Sequence, residues 1–355
     1  MTICVEYSNF DFAAFKINGF FIMSHISFTN TQFPIIRPRR LRRHSWLRDL
    51  VQENYVSPQD LVWTVIIRED NVNPTIAGMP GSPRLSLSEL VELAKEARDL
   101  GIPAIAFFPY VDQSLKDEKA SEALNPRSLT VRAIEALKAH CPGLGVISDV
   151  ALDPFTSHGF DGLMKGDQVD NDATLELLAK SVLLHVQAGA DVIAPSEMMD
   201  GRIKVLRQTL DLAGFQDVSL LSYSAKYASA FYGPYRGGIG SLGNLGKGDK
   251  KTFYLNPANK AEALREVSQD LAEGADMVMV KPGLPYLDVI SAIKETFHVP
   301  TFAFHVSGEY GCLKLMHEAG FMDFNKAFHE VLVSFKRAGC DGILTYGALE
   351  YARSL

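Results

Sequence analysis

Eight short segments dominated by β-branched and other apolar residues recur along this chain, each bounded by turn residues and followed by a stretch with helical patterning. They are Leu61–Arg68, Ile102–Phe108, Leu144–Val150, Asp191–Ser196, Val218–Ser224, Met277–Pro282, Thr301–Ser307 and Gly342–Gly347. Most are continuously apolar rather than alternating, the pattern of parallel strands covered on both faces. Eight alternations of this kind predict the α/β class and a closed (β/α)8 TIM barrel. A doubly wound open sheet is the structural rival, but no GxGxxG follows the first segment.

Three junctions share one local grammar: Gln187-Ala-Gly-Ala-Asp191, Ala272-Glu-Gly-Ala-Asp276 and Arg337-Ala-Gly-Cys-Asp341. In each, the glycine suits the left-handed position that ends a helix, and an apolar strand follows at once. With 47% hydrophobic and 22% charged residues among 355, the chain can bury one large core. We assign residues 56–355 to the barrel and 1–55 to an N-terminal arm.

The net charge of −7 argues against a nucleic-acid partner, which calls for a basic surface. No apolar run reaches the roughly 18 residues of a membrane span, and the start lacks the pattern of a secretion signal. Cys4, Cys141, Cys312 and Cys340 are far apart with no CxxC pair, as expected of reduced thiols in a cytoplasmic protein. The arm carries a basic run, Arg37-Pro-Arg-Arg-Leu-Arg-Arg43, and Trp46–Val51 predicts a short helix. An extension without a core of its own is expected to lie on a neighbouring subunit; the alternative is a solvated tail. The first 22 or so residues are expected to be disordered, or to precede a true start at Met23.

In a barrel, chemistry gathers where strands end and βα loops begin. Lys281 follows Met277-Val-Met-Val280, which places an amine at the end of a buried strand, and Lys226 ends the preceding one. Adjacent strands lie about 4.8 Å apart, so two amines face one cavity. Burial and mutual repulsion are expected to lower both lysine pKa values, and a neutral amine attacks ketones where an ammonium cannot. Taken singly, each lysine could as well snorkel to the rim. Asp149, Asp153, His158 and Asp161 follow the third segment, where carboxylates bind hard cations or move protons, or simply cap a helix. Arg236 and Lys250 flank the glycine-rich stretch Gly237–Gly248, which fits no P-loop pattern and reads as a lid bringing basic groups onto a substrate carboxylate.

Together these segments resemble the porphobilinogen synthase (5-aminolevulinate dehydratase) family from about Phe33 to the C-terminus. The motifs that carry the likeness, in order, are Arg37–Arg43, Asn125-Pro126, Asp149–Gly162, Ala194-Pro-Ser196 with Met199-Asp-Gly201, Ser222–Ser229, Phe231–Arg236, Val280–Tyr286 and Val306–Tyr310. The resemblance implies condensation of two 5-aminolevulinate molecules into porphobilinogen, in tetrapyrrole and haem biosynthesis. It assigns Lys281 and Lys226 to Schiff bases with the substrates that supply the propionate and acetate halves. It assigns Ser307 and Tyr346 to the carboxylate of the first, Arg236 and Lys250 to that of the second, and Asp149, Ser196 and Tyr223 to the pocket lining. It also implies a homo-octamer whose arms wrap neighbouring barrels.

The departures are informative. Zinc-dependent members carry three cysteines where this chain has Ala151, Asp153 and Asp161, so catalytic zinc is not expected. Oxygen ligands favour Mg²⁺, a monovalent cation on Asp153 and Asp161, or a cation-free acidic pocket. Glu266 matches the glutamate of the family's allosteric Mg²⁺ site. Tyr254 stands where a glutamine is expected near the end of the lid, and Gly237-Gly238 replace acidic or bulkier residues. The rivals are a class I aldolase, which needs only one barrel lysine, and a non-enzymatic barrel serving as an assembly or inhibitor surface.

Overall fold

The computed structural model describes residues 33–241 and 249–355. The expectations for Met23, for the residues before it and for Cys4 lie outside the described residues, as does most of the glycine-rich stretch. The chain divides after Gln52 into two compact units. Within the first, Pro38–Arg42 form a 3-10 turn and Ser45–Leu50 a short helix, and neither element buries a residue.

All eight expected segments are strands: β1 (Leu61–Ile67), β2 (Ala104–Pro109), β3 (Gly145–Asp149), β4 (Val192–Ala194), β5 (Ser219–Lys226), β6 (Met277–Lys281), β7 (Thr301–His305) and β8 (Gly342–Thr345). Each pairs in parallel with the next, and β1 closes the ring on β8 through Leu61↔Ile343, Val62↔Leu344 and Trp63↔Thr345. The strands are buried almost throughout, because helices cover the outside while their own side chains fill the inside. Each fully buried Leu, Ile or Phe contributes about 1.5–3 kcal/mol. Helices start where a short polar side chain takes an orphan N–H: Ser86 accepts from Glu89, Ser128 from Val131, Asp170 from Ala173 and Asp323 from Lys326.

The three repeated junctions form one device. Their glycines, Gly189, Gly274 and Gly339, have φ of +108°, +108° and +97°. The aspartate two residues on then grips the preceding strand twice. Asp276 donates its N–H to Leu220 O at 3.0 Å and accepts the Leu220 N–H at 2.7 Å. Asp191 does the same with Val146, and Asp341 with Thr301. Three strand pairs are thus locked in register at the bottom of the barrel, which leaves the opposite rim free to carry chemistry.

Candidate active site

The C-terminal rim assembles what the sequence places there. Lys226 and Lys281 are direct partners in the β5–β6 ladder, so their side chains leave the same face. A register irregularity between Ser222 and Ala225 re-aims the end of β5 to give this pairing. Both lysines are 4% exposed. They share a cavity with Asp153, Tyr232, Tyr235, Arg236, Lys250 and Tyr254. Only about 10 Å³ is left open among these side chains, roughly the room of one water.

The two amines have different surroundings. Lys281 Nζ sits among aromatic rings: 4.3 Å from the Phe304 centroid, 5.1 Å from Tyr223, 5.2 Å from Tyr235, and 5.6 Å from Phe108 and Tyr232. Burial, helped by the charge of Lys226, lowers its pKa to about 7 against the pull of Asp149, Asp153 and Asp161. Lys226 Nζ instead donates to Ser196 O and lies 3.4 Å from Asp161 Oδ1, with the Tyr254 ring 4.4 Å away. The paired lysines therefore divide into one amine among rings and one amine held by a carboxylate.

Asp161, fully buried, is the hub of the polar side. Burial pushes its carboxyl up, but Lys250, Lys226 and the Tyr254 hydroxyl outweigh that and hold it below the usual carboxylate range. Lys250 Nζ lies 2.6 Å from Asp161 Oδ2 and 3.6 Å from Asp153 Oδ2, and Tyr254 donates to Asp161 Oδ1 at 2.7 Å. Asp149 lies at the end of β3 and accepts from Ser196 Oγ at 3.0 Å. Burial raises its pKa to about 7, partly offset by Lys226.

The remaining expected residues separate. Arg236, on the helix Gly233–Gly238, reaches the cavity, and among the described residues no carboxylate pairs with it. Ser307, fully buried, accepts the Tyr235 N–H at 2.9 Å. Tyr346 lines a different cavity of about 110 Å³, with Trp63 and Tyr310, that shares no lining residue with the lysine one. Glu266 stands apart with Asp200, Glu262, Met199 and Lys251 around a cavity of about 530 Å³, and Tyr254 lines both that cavity and the lysine one. Burial raises the Glu266 pKa, opposed by Arg202 and helped by Asp270 and Asp200.

Several site residues were not singled out from the sequence. Phe108 and Phe304 end or nearly end β2 and β7, the same signal that exposed Lys281. Tyr232 and Tyr235 fall within a motif of which only Arg236 was used. Glu309 accepts from the N–H groups of Leu284 and Val306, joining the loops that leave β6 and β7; nothing in sequence distinguishes it from an ordinary capping glutamate.

With this geometry established, comparison with known proteins is decisive. The sequence profile of the delta-aminolevulinic acid dehydratase family matches residues 35–354. The chain belongs to that family. The delta-aminolevulinic acid dehydratase of Bradyrhizobium diazoefficiens is 51% identical over 321 residues, covering 90% of this chain and 91% of the relative. That of Rhodobacter capsulatus is 46% identical over 317 residues, covering 89% and 95%. The crystal structure of delta-aminolevulinic acid dehydratase (porphobilinogen synthase) from Toxoplasma gondii, in complex with the reaction product porphobilinogen, superposes with a TM-score of 0.88 at 46% identity over 90% of this chain and 91% of that one.

A lowered amine pKa has a direct kinetic signature. Borohydride trapping of 4-oxopentanoate on Lys281 should accelerate as pH rises through about 7 and then level off, because the neutral amine is the nucleophile. Asp149 titrates in the same window, so the profile belongs to the pair. A trapping rate that climbs only above pH 9 contradicts the assignment.

Proposed function

We propose that the chain acts as a porphobilinogen synthase, a lyase that condenses two molecules of 5-aminolevulinate into porphobilinogen with loss of two waters, through Schiff bases on Lys281 and Lys226. The observation that carries this reading is the side-by-side burial of these two lysines at one cavity, one of them lowered to about pH 7.

The chemistry follows from the surroundings of each amine. The Lys281 amine is available uncharged at neutral pH and attacks the ketone carbon of the first substrate; loss of water gives an iminium. The aromatic rings around it exclude water that would hydrolyse that iminium. Lys226, held beside Asp161 and the Ser196 carbonyl, condenses with the ketone of the second substrate to form the second iminium, with loss of the second water. Each iminium makes its own carbon electrophilic and acidifies the neighbouring carbon, so the pair serves both the C–C and the C–N bond-forming steps. Asp149, poised near 7, takes and returns protons between them. Ser307 and Tyr346 hold the first substrate's carboxylate. Arg236, without a carboxylate partner among the described residues, and Lys250 hold the second, with Lys250 exchanging Asp161 for substrate.

Metal chemistry divides between two places. Among the described residues no cysteine lines the lysine cavity, and the oxygens of Asp153 and Asp161 that a cation would use already face the ammonium of Lys250. Neither zinc nor a further monovalent cation fits beside it, and no step of the reaction is routed through one. At the second cavity Glu266, Glu262 and Asp200 supply oxygen only. Among the described residues no three acidic, His or Cys side chains converge closely enough to hold a bare ion. Mg²⁺, which prefers oxygen ligands and keeps several waters, is the ion this reading assigns there, where it would act as an allosteric activator by its charge.

The enzyme works as a homo-oligomer, an octamer, with arms laid on neighbouring barrels; exposed Phe33, Ile35, Leu41, Trp46 and Leu50 support this reading. No helix among the described residues is long and apolar enough to cross a membrane. The cytoplasm is where it is expected to work.

Lys281→Ala and Lys226→Ala should each lower porphobilinogen formation by several orders of magnitude. With 5-aminolevulinate and borohydride, Lys226→Ala should still trap substrate on Lys281. Full turnover by Lys226→Ala would leave a single-lysine, aldolase-like mechanism in its place, and an absence of any adduct on Lys281 would favour a non-enzymatic barrel.

For the metal, activity measured after chelation should rise when Mg²⁺ is restored and not with Zn²⁺ alone, and Glu266→Ala should lose the Mg²⁺ response. Recovery with zinc alone overturns this assignment.

A further inference from the structure

The helix Gly233–Gly238 that carries Arg236 is only six residues long, and Gly240 ends it with φ +73°. A helix end leaves its last carbonyls without intrahelical partners, and here the donors to them can be followed one by one. Arg236 O accepts from the Ser241 N–H at 2.9 Å, and Tyr235 O from the Ile239 N–H at 2.9 Å. The next four carbonyls accept from side chains of two other βα loops, with Gly237 O also taking a long bond from the Gly240 N–H at 3.4 Å. Arg84 donates from Nη2 to Gly237 O at 2.7 Å and from Nε to Gly238 O at 2.6 Å. Lys116 Nζ donates to Gly240 O at 3.0 Å and to Ile239 O at 3.4 Å. Gln113 Nε2 adds a bond to Gly240 O at 2.7 Å.

This use of buried charge is unusual. Arg84 and Lys116 are each 8% exposed, and among the described residues neither has a carboxylate partner within ion-pair distance. Two desolvated cations are costly unless the groups they meet need them. What they meet is the negative end of a helix dipole. Arg84 is itself fixed by bonds from Nη1 to Asn73 O and Thr75 O, both at 2.8 Å, and its guanidinium lies 4.8 Å from the Tyr110 ring centroid. A side chain at either glycine of the clamp would crowd its neighbours, and Gly240 also holds a left-handed φ. A Cβ on Gly238 would come within 2.3 Å of Ile66 Cδ1, and one on Gly240 within 2.7 Å of the Tyr110 ring.

We infer that Arg84, Lys116 and Gln113 are positioning residues for substrate binding: by clamping the carbonyls of Gly237–Gly240 they hold the short helix so that the Arg236 guanidinium faces the lysine cavity. The substrate group concerned is the carboxylate of the second 5-aminolevulinate, so the inference rests on the reading of Arg236 given above. The clamp acts through Arg236 and touches no reacting atom. Its loss should therefore weaken saturation rather than the chemistry at Lys281.

The test compares Arg84→Met, Lys116→Met and Gln113→Ala with Arg236→Met in the full-length enzyme. It reads KM, kcat and the amount of borohydride adduct on Lys281. The inference expects Arg236→Met and Arg84→Met each to raise KM on the order of tenfold, with the Lys281 adduct intact. Gln113→Ala, altering an exposed side chain and safe for folding, should raise KM by a smaller factor. Lys116→Arg, which keeps the donors, should restore most of what Lys116→Met loses. If Arg236→Met raises KM while Arg84→Met and Gln113→Ala leave it unchanged, the clamp is refuted and the Arg236 reading stands. If Arg236→Met leaves KM unchanged, that reading itself fails. A fall in kcat and in the Lys281 adduct with KM unaltered would mark the clamp as merely structural and overturn the inference.

Discussion

Desolvation of the Lys281 ammonium is the constraint on which the rest of the site depends. An amine at the end of an apolar strand, ringed by Phe108, Tyr223, Tyr232, Tyr235 and Phe304, has little to solvate its charge. The fold bears that cost because the barrel is locked at its opposite end, where Asp191, Asp276 and Asp341 grip neighbouring strands. The linkage has a definite sign. The unfolded lysine keeps its proton up to 10.5, whereas the folded one releases it near 7, so this group makes the fold more stable as pH rises between those values. Stability is given up at neutral pH to keep a nucleophile ready.

Lys226 shows why its neighbour needs that arrangement. One carboxylate, Asp161, serves Lys226, Lys250 and Tyr254 together. Opposite charge thus lies directly against Lys226, while aromatic rings surround the Lys281 amine. The division lets two chemically identical side chains, paired in one ladder, differ in readiness to react. Tyr254 also lines the cavity of Glu266, so the two cavities share this side chain as a common wall.

Much of this was legible in the sequence because it is written locally. Strand period, the Gly-x-Asp junctions and the lysines at strand ends are each set by a few adjacent residues, and all eight strands and the lysine pairing lie where those signals put them. What was not legible depends on distant chain segments. Tyr254 reads in sequence only as a departure from the glutamine expected near the end of the lid, yet in the fold it is a buried hydrogen-bond donor to a residue 93 positions away. Arg84 and Lys116 look like ordinary surface cations until β1, β2 and the Arg236 helix are brought together. The asymmetry of the two lysines also escaped, since sequence gives their adjacency but not which carboxylate faces which amine.

The reactivity of the site turns on the protonation of one side chain, and direct titration tests it. ¹³C NMR of enzyme carrying lysine labelled at Cε, with Lys281→Met to assign the signal, should show Lys281 changing charge near pH 7. A Lys281 signal that stays that of an ammonium up to pH 9 or beyond would contradict the account.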